Sequence, residues 1–245
     1  MERKTYIREV YSKYWITARK KIYGFSEYDR NMCRYICDHI PKGGKLLDVA
    51  IGTGFPFAEF LQKAGYHVHG IDISPQLIEE CNRMYPEVDA KVGDAEQLRY
   101  PDDYFDCSYC FHSTWYFSGL RRAIEEMIRV TCHGGLIIFD IQNRNNQEIE
   151  NAYKKRLNEI KCFGRYKKHF KNVAKMVLGR GTPDWYFVVH EVPTYPEDVY
   201  QYLRESYYPN TFRVYVRRKD DSIKRAKGLS SFEQYGRIVF MVLKR

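Results

Sequence analysis

A stretch of sixteen residues, LLDVAIGTGFPFAEFL, joins an acidic residue to a glycine-rich turn. Its apolar start predicts a strand that ends near Asp48, and the residues from Phe55 to Ala64 predict a helix. Gly52 and Gly54 in the intervening turn let the backbone approach a ligand closely, and the helix start offers free amide groups. No Gly-Lys-Ser/Thr follows, which argues against a nucleoside triphosphate. The stretch therefore predicts a site for another ligand.

Two more acidic residues follow predicted strands further along the chain. Asp72 ends the run YHVHGID, and Asp94 comes just after DAKVG. An acid at the end of the second strand can accept hydrogen bonds from the two ribose hydroxyls of an adenosine group. The alternative is that Asp48, Asp72 and Asp94 only cap strand ends beside tight turns. Their joint spacing favours the ligand site.

Apolar runs alternate with helical patterns through the middle of the chain, which is typical of parallel strands joined by crossover helices. A Gly134-Gly135 pair is expected in the turn before the fifth strand. The last two apolar runs are too close for a clear crossover helix, so an antiparallel pair is expected. The predicted strands are 45–50, 66–72, 89–93, 104–110, 136–141, 211–219 and 236–244.

These motifs resemble the class I S-adenosylmethionine-dependent methyltransferases over about residues 40–142. That family has an acid and glycines at DxGxGxG spacing, which stand here as Asp48, Ala50, Gly52 and Gly54, with alanine at the first glycine position. The predicted antiparallel pair at the end is also a hallmark of the family. The resemblance implies S-adenosylmethionine as the cofactor and a methyl transfer as the reaction.

The resemblance also implies the fold and the cofactor contacts. We expect one Rossmann-like α/β domain over 1–245, with a seven-stranded, mostly parallel sheet, an antiparallel last strand and helices on both faces. Residues 1–40 are expected to form a helical lid, and 145–192 a basic helical insertion over the acceptor site. Besides the turn, the implied cofactor residues are Asp72 at the ribose, Ile73 on the adenine, Asp94 and Ala95 at the adenine amino edge, and Cys110 and Phe111 beside the methionine part.

The acceptor is expected beyond the carboxyl ends of strands four and five, where the run FHSTWYF lies. His112 is the first candidate for a base or an acceptor ligand, with Trp115 and Tyr116 as apolar walls. A hydrogen-bonded loop histidine is the alternative. The run also lacks the Asn/Asp-Pro-Pro-Tyr motif of the family's amide- and DNA-methylating branches, which argues against adenine amino methylation. An oxygen or nitrogen atom of a small metabolite or sugar-containing acceptor is therefore expected.

Other candidates for the acceptor side lie far from this run. His190 follows DWYFVV, and the adjacent Glu191 could orient or charge its ring, although a structural role is the alternative. Tyr11 and Trp15 belong to an aromatic-rich, helix-forming start of the chain. They are expected either to complete the acceptor pocket or to pack the lid onto the domain.

Charge is distributed unevenly. Residues 41–150 contain ten Lys or Arg and seventeen Asp or Glu, whereas 151–245 contain twenty-one and nine. The segment 151–180 contains ten basic residues and one acidic residue. Its apolar residues recur in an amphipathic helical pattern. This segment suits a small anionic acceptor, and it leaves open an RNA substrate or a lipid-linked acceptor at an anionic membrane surface. A regulator that binds the cofactor without catalysis is a further alternative.

Membrane spans and metal sites are not expected. No run approaches the roughly 18 apolar residues of a transmembrane helix, and the charged start lacks the apolar core of a signal peptide, so a cytoplasmic location is expected. The seven cysteines are expected to be reduced and mostly packed. Cys107 and Cys110 have CxxC spacing but fall on a strand, where residues three apart point to opposite faces and cannot share a metal.

Overall fold

Strands and helices alternate along the chain, and the sequence pattern explains most of them. The computed structural model describes residues 3–8, 24–163, 191–206, 211–226, 228–229 and 232–245. The strands are β1 Lys45–Val49, β2 His67–Asp72, β3 Asp89–Val92, β4 Phe105–Cys110, β5 Thr131–Gln142, β6 Phe212–Arg217, β7 Ile223–Arg225 and β8 Arg237–Leu243. The α-helices are α1 Arg3–Tyr6, α2 Glu27–His39, α3 Phe57–Lys63, α4 Pro75–Met84, α5 Leu120–Val130, α6 Gln147–Phe163 and α7 Pro196–Ser206.

The strands form one mixed sheet in the order β3-β2-β1-β4-β5-β8-β6-β7. The first five pair in parallel, so the carboxyl ends of β1, β2 and β4 meet at one edge. β8 lies between β5 and β6 and is antiparallel to both. This confirms the α/β class and the antiparallel end that the sequence predicts.

Two details of the sheet differ from the prediction. The described sheet has eight strands rather than seven, because the short β7 pairs with β6 at the outer edge. The Gly134-Gly135 pair lies inside β5, not before it. Gly134 has φ +81°, a conformation that glycine adopts without steric cost. The pairing between β4 and β5 shifts register between Thr131 and Leu136. β5 therefore begins at Thr131, five residues before the predicted start at 136.

The helix ends follow local chemistry. Ser74 caps α4 by accepting a hydrogen bond from the Leu77 N–H, and Pro75 occupies the first turn, as predicted. The helix predicted from Phe55 begins two residues later, at Phe57. These two helices start at the same edge of the sheet as the ends of β1 and β2.

Both faces of the sheet carry a hydrophobic core. Helices α2, α3 and α4 cover one face with side chains such as Met32 and Leu61, and α5 and α7 cover the other with Met127 and Leu203. Cys107 is buried in the first core and Cys110 in the second, so the two thiols are on opposite faces as predicted. Within the described part of the chain, no helix combines the length and apolarity needed to cross a bilayer.

Candidate functional site

The turn between β1 and α3 forms one wall of a pocket at the carboxyl edge of the sheet. The amide groups of Ala50 and Ile51 both donate to the Ile71 carbonyl, at 2.8 and 2.9 Å, which holds the turn against β2. Gly52 has φ +59°, and a Cβ built on it meets no atom within 4 Å. The space beside Gly52 is therefore open, as a ligand held against the backbone requires.

Ala50 has an uncommon backbone conformation for its residue type. Its φ is +69°, in the left-handed region that L-residues other than glycine, asparagine and aspartate rarely adopt. Ala50 occupies the position where the motif has its first glycine. The alanine side chain is small enough to fit, but the backbone still favours glycine here.

Asp72, at the end of β2, organises the neighbouring turns. Its carboxylate accepts hydrogen bonds from the amide of Gly52 at 3.0 Å and from that of Ser74 at 2.9 Å. Burial raises the pKa of Asp72 to about 6, although these amide groups favour the charged form. The carboxylate thus ties the glycine turn to the start of α4 and still lines the pocket.

The pocket has two parts, which share Ala50, Asp72 and Ser113. The inner part extends to aromatic side chains and to the ring of His112. Its remaining lining residues are Asp48, Ile51, Gly52, Thr53, Phe55, Phe57, Leu77 and Phe111. The outer part is lined by Lys4, Ile7, Ile71, Ile73, Gly93, Asp94, Ala95, Glu96, Tyr116 and Phe117.

The residues of α1 and its extension close one side of the outer part. Lys4 donates to Asp94 at 2.7 Å and to Glu96 at 2.9 Å, and Ile7 adds an apolar side chain to the lining. Glu96 also accepts a hydrogen bond from the Gly119 amide at 2.9 Å. An ionic contact therefore connects the start of the chain to the loop after β3.

The inner part contains two carboxyl groups that form no ion pair with any described basic residue. Asp48 is buried, and no Lys, Arg or His of the described chain forms an ion pair with Asp48 or Asp72. Burial raises the pKa of Asp48 to about 8; Tyr109 lowers it, and Asp72 raises it further. A buried carboxylate in this setting is stabilised by a cationic ligand. The ammonium and sulfonium groups of S-adenosylmethionine meet that requirement.

His112 lies at the inner end of the pocket in a fixed orientation. Its φ is +61°, and its amide donates to Asp140 at 2.8 Å. Its ring faces Phe57, with 5.8 Å between ring centroids and 30° between planes. Nε2 lies 2.6 Å from an Asp29 oxygen, and Nδ1 lies 2.6 Å from the Arg237 guanidinium. The histidine is thus held from both sides of the ring.

Residues 47–139 match the family described as "Methyltransferase domain". The match spans the end of β1, the glycine turn, the three strand-end acids, β2 to β4 and most of β5. Residues 47–139 are thus similar to a methyltransferase domain, as the motifs of the sequence predict.

Individual proteins extend this comparison. A demethylmenaquinone methyltransferase of Paenarthrobacter aurescens is 36% identical over 100 residues, covering 40% of this chain and 38% of that protein. A malonyl-[acyl-carrier protein] O-methyltransferase of Erwinia billingiae is 31% identical over 98 residues, covering 40% and 39%. The chain thus matches about two fifths of the length of these curated relatives.

The fold as a whole is similar to a solved structure from Thermotoga maritima. That S-adenosylmethionine-dependent methyltransferase, described as a possible histamine N-methyltransferase, superposes with a TM-score of 0.62. The comparison covers 99% of this chain and 97% of the other, at 18% identity. At that identity the likeness establishes the fold.

Most of the residues that the resemblance predicts at the cofactor line the pocket. Asp48, Ala50, Gly52, Asp72 and Phe111 lie along the inner part, with Ala50 and Asp72 also in the outer part. The outer part has the apolar and acidic side chains that the family assigns to adenine. These are Ile73, Asp94 and Ala95.

Four residues differ from their expected positions, namely Gly54, Cys110, Tyr116 and Trp115. Gly54 does not line either part: a Cβ there would lie 2.9 Å from Cys81 Sγ and 2.8 Å from the Tyr85 ring, so glycine is needed for packing against α4. Cys110 is fully buried in a core, because its side chain alternates away from the pocket along β4. Tyr116, expected as an acceptor wall, lines the outer part instead.

Trp115 is buried, and its ring lies 4.8 Å from the guanidinium of Arg237, so it contacts the group behind His112 rather than the described pocket. Glu191, expected to orient His190, lies 3.6 Å from Arg144. Tyr11, Trp15 and His190 lie outside the described residues, as does 164–190, most of the basic segment.

The structure also adds residues that the sequence did not single out. Phe55 and Phe57 line the inner part, and Asp29, Asp140 and Arg237 surround His112. Asp29 could have been noticed as the third residue after Ser26, since the two form a capping box at the start of α2. No pattern in the sequence connects Asp29 to His112, 83 positions away.

Proposed function

We propose that this methyltransferase transfers the methyl group of S-adenosylmethionine to an oxygen or nitrogen atom of a small-molecule acceptor. The observation that carries the proposal is the two-part pocket around Asp72. Its outer part has the side chains expected around adenosine, and its inner part leads from Asp48 to the ring of His112. The acceptor would then enter beside His112.

The inner pocket suits methyl transfer to a compact acceptor. When bound, the cofactor supplies an electrophilic methyl group, and the protein must mainly align the acceptor atom and exclude water. Phe55, Phe57 and Phe111 are aromatic lining residues near His112, so they can shield the reacting atoms from solvent. The ring of His112 forms part of the wall at this end of the pocket.

The relatives support a small acceptor. Their names specify demethylmenaquinone, the malonyl group of an acyl-carrier protein, and 2-methyl-6-phytyl-1,4-hydroquinone. These are small molecules or a small group on a carrier. We therefore place a metabolite-sized acceptor ahead of RNA, and the positive charge of the segment 151–180 would then attract an anionic acceptor.

Calorimetry and an acceptor screen test this proposal. Asp72→Ala should weaken binding of S-adenosylmethionine by at least about tenfold, because it removes charge-assisted hydrogen bonds worth roughly 1.5–3 kcal/mol. Asp89→Ala is the control: it removes an acid from the neighbouring strand, outside both parts of the pocket, and should leave the affinity unchanged.

The screen uses cofactor labelled in the methyl group against metabolites, RNA and lipid vesicles. Transfer to a small acceptor supports the proposal, and transfer to RNA alone contradicts it. Tight cofactor binding with no transfer to any of these acceptors would identify a regulator. Equal affinities in Asp72→Ala and Asp89→Ala would remove Asp72 from the cofactor site.

A further inference from the structure

The ring of His112 is held between a carboxylate and a guanidinium group. Its Nε2 contacts Asp29, which is buried at the start of α2, and its Nδ1 contacts Nη1 of Arg237 on β8. The same guanidinium nitrogen donates to Asp140 on β5 at 2.7 Å. Three elements of the fold thus meet at one imidazole that faces the cofactor pocket.

The chemistry of arginine fixes the hydrogen positions. A guanidinium can only donate, so Nδ1 of His112 must accept and carry a lone pair. Nε2 then bears the hydrogen and donates to Asp29. A protonated imidazole would place an N–H on Nδ1, directed at the Arg237 donor 2.6 Å away. The geometry therefore selects one neutral tautomer.

Arg237 is itself firmly held. Asp140 is fully buried and accepts from Arg237, from the His112 amide and from the Tyr28 hydroxyl at 3.1 Å. The guanidinium also lies over the rings of Trp115, at 4.8 Å, and Tyr28, at 6.0 Å. These contacts leave it little freedom to move away from Nδ1.

We propose that Arg237 is a positioning residue that keeps His112 neutral, in the Nε2–H tautomer, against the cofactor pocket. An Asp–His pair by itself favours a charged imidazolium, because the carboxylate stabilises the positive ring. Such a ring beside a cationic sulfonium would weaken cofactor binding. Arg237 prevents this by donating to the nitrogen that would have to be protonated.

The charges around the ring support this reading. Burial and Arg237 lower the pKa of His112, against the opposite effects of Asp29 and Asp140. The hydrogen bond from His112 holds the pKa of Asp29 at about 2 despite its burial. Tyr28, the remaining titratable group at the ring, stays neutral because burial raises the pKa of its phenol.

This inference rests on the proposed function and restricts the kind of acceptor atom that the protein can methylate. With both ring nitrogens engaged, His112 has no free lone pair to remove a proton from the acceptor. The acceptor atom must then be one that attacks without a base from His112, such as a neutral amine nitrogen or an oxygen already ionised when it binds. The histidine shapes the pocket and contributes no positive charge.

NMR titration of the histidine rings in the full-length protein tests the proposal, with His112 assigned by comparison with His112→Gln. In the unmodified protein, His112 should remain neutral from pH 8 down to below the ordinary histidine pKa of about 6.5, with the Nε2–H tautomer visible in its nitrogen shifts. Titration at or above that value would overturn the proposal.

A matched pair of double variants tests the hydrogen bond that Arg237 donates to Nδ1 of His112. Asp140→Asn with Arg237→Gln and Asp140→Asn with Arg237→Met both remove the buried ion pair, but only glutamine can donate to Nδ1. His112 should titrate about one pH unit higher in the methionine variant, which corresponds to one ordinary hydrogen bond. Identical titrations in the two variants would show that Arg237 has only a structural role.

Cofactor affinity provides the functional readout. At pH 6 the methionine variant should bind S-adenosylmethionine several-fold more weakly than the glutamine variant, and the two should converge at pH 8. If either double variant fails to fold, Asp29→Asn provides a second test, since it should leave the tautomer unchanged. Failure of the proposed function would appear as absent cofactor binding at every pH, whereas failure of this inference would appear in the ring titrations alone.

Discussion

Replacing Ala50 with glycine should stabilise this protein, which is the reverse of what the substitution usually does. At φ +69° an L-residue loses roughly 1–2 kcal/mol relative to its preferred conformations, and glycine loses almost none. Glycine also makes the unfolded chain more flexible, at about 0.4–1 kcal/mol. The net expectation for Ala50→Gly is a gain of roughly 0.5–1 kcal/mol, or about 1–3 °C in Tm for a chain of this size.

Ala123→Gly is the matched control. Ala123 is fully buried in α5, where glycine lowers helix stability by about 1 kcal/mol and the lost methyl burial adds to the effect. The same chemical change should therefore raise the free energy of unfolding at residue 50 and lower it at residue 123. Thermal and urea unfolding of the ligand-free protein measure both. If Ala50→Gly is also destabilising, the left-handed backbone is not under strain and the reasoning is wrong.

Three further predictions concern ligands. Gly52→Val should abolish measurable cofactor binding in calorimetry, because the valine side chain enters the pocket. Gly134→Val is the control and should lower only the stability of the protein. Gly134 also has a positive φ and open surroundings, but it lies outside the pocket. Cofactor affinity should fall as the pH decreases from 8 to about 6, because the Asp48 carboxyl has a pKa raised to about 8 and must lose its proton to bind a cation. Asp48→Asn should remove this dependence of affinity on pH. If the dependence persists in that variant, another group causes it. If RNA binds the basic segment 151–180, its log affinity should decrease with log salt by about 0.7 for each neutralised phosphate, and a nearly flat plot would exclude that partner.

The sequence alone was sufficient for the fold class and for placing three strand-end acids at one edge of the sheet. Parallel strands joined by short connections bring their carboxyl ends to one edge, so Asp48, Asp72 and Asp94 could be placed together from local patterns. The same local signals identified the Ser74 cap and the antiparallel end of the sheet. Each of these features depends on residues that are close in the chain or on a periodicity that any strand or helix must follow.

Only the tertiary structure decided the surroundings of His112. Asp29, Asp140 and Arg237 reach it from α2, β5 and β8, and Arg237 is 125 positions away along the chain. No local pattern encodes such a contact, because it depends on how separate elements pack on the sheet. The orientation of single side chains was also beyond the sequence: Gly54 proved to face α4 and Cys110 a core. Backbone propensity and hydrophobic periodicity determine the elements, whereas packing between them determines which charged groups meet.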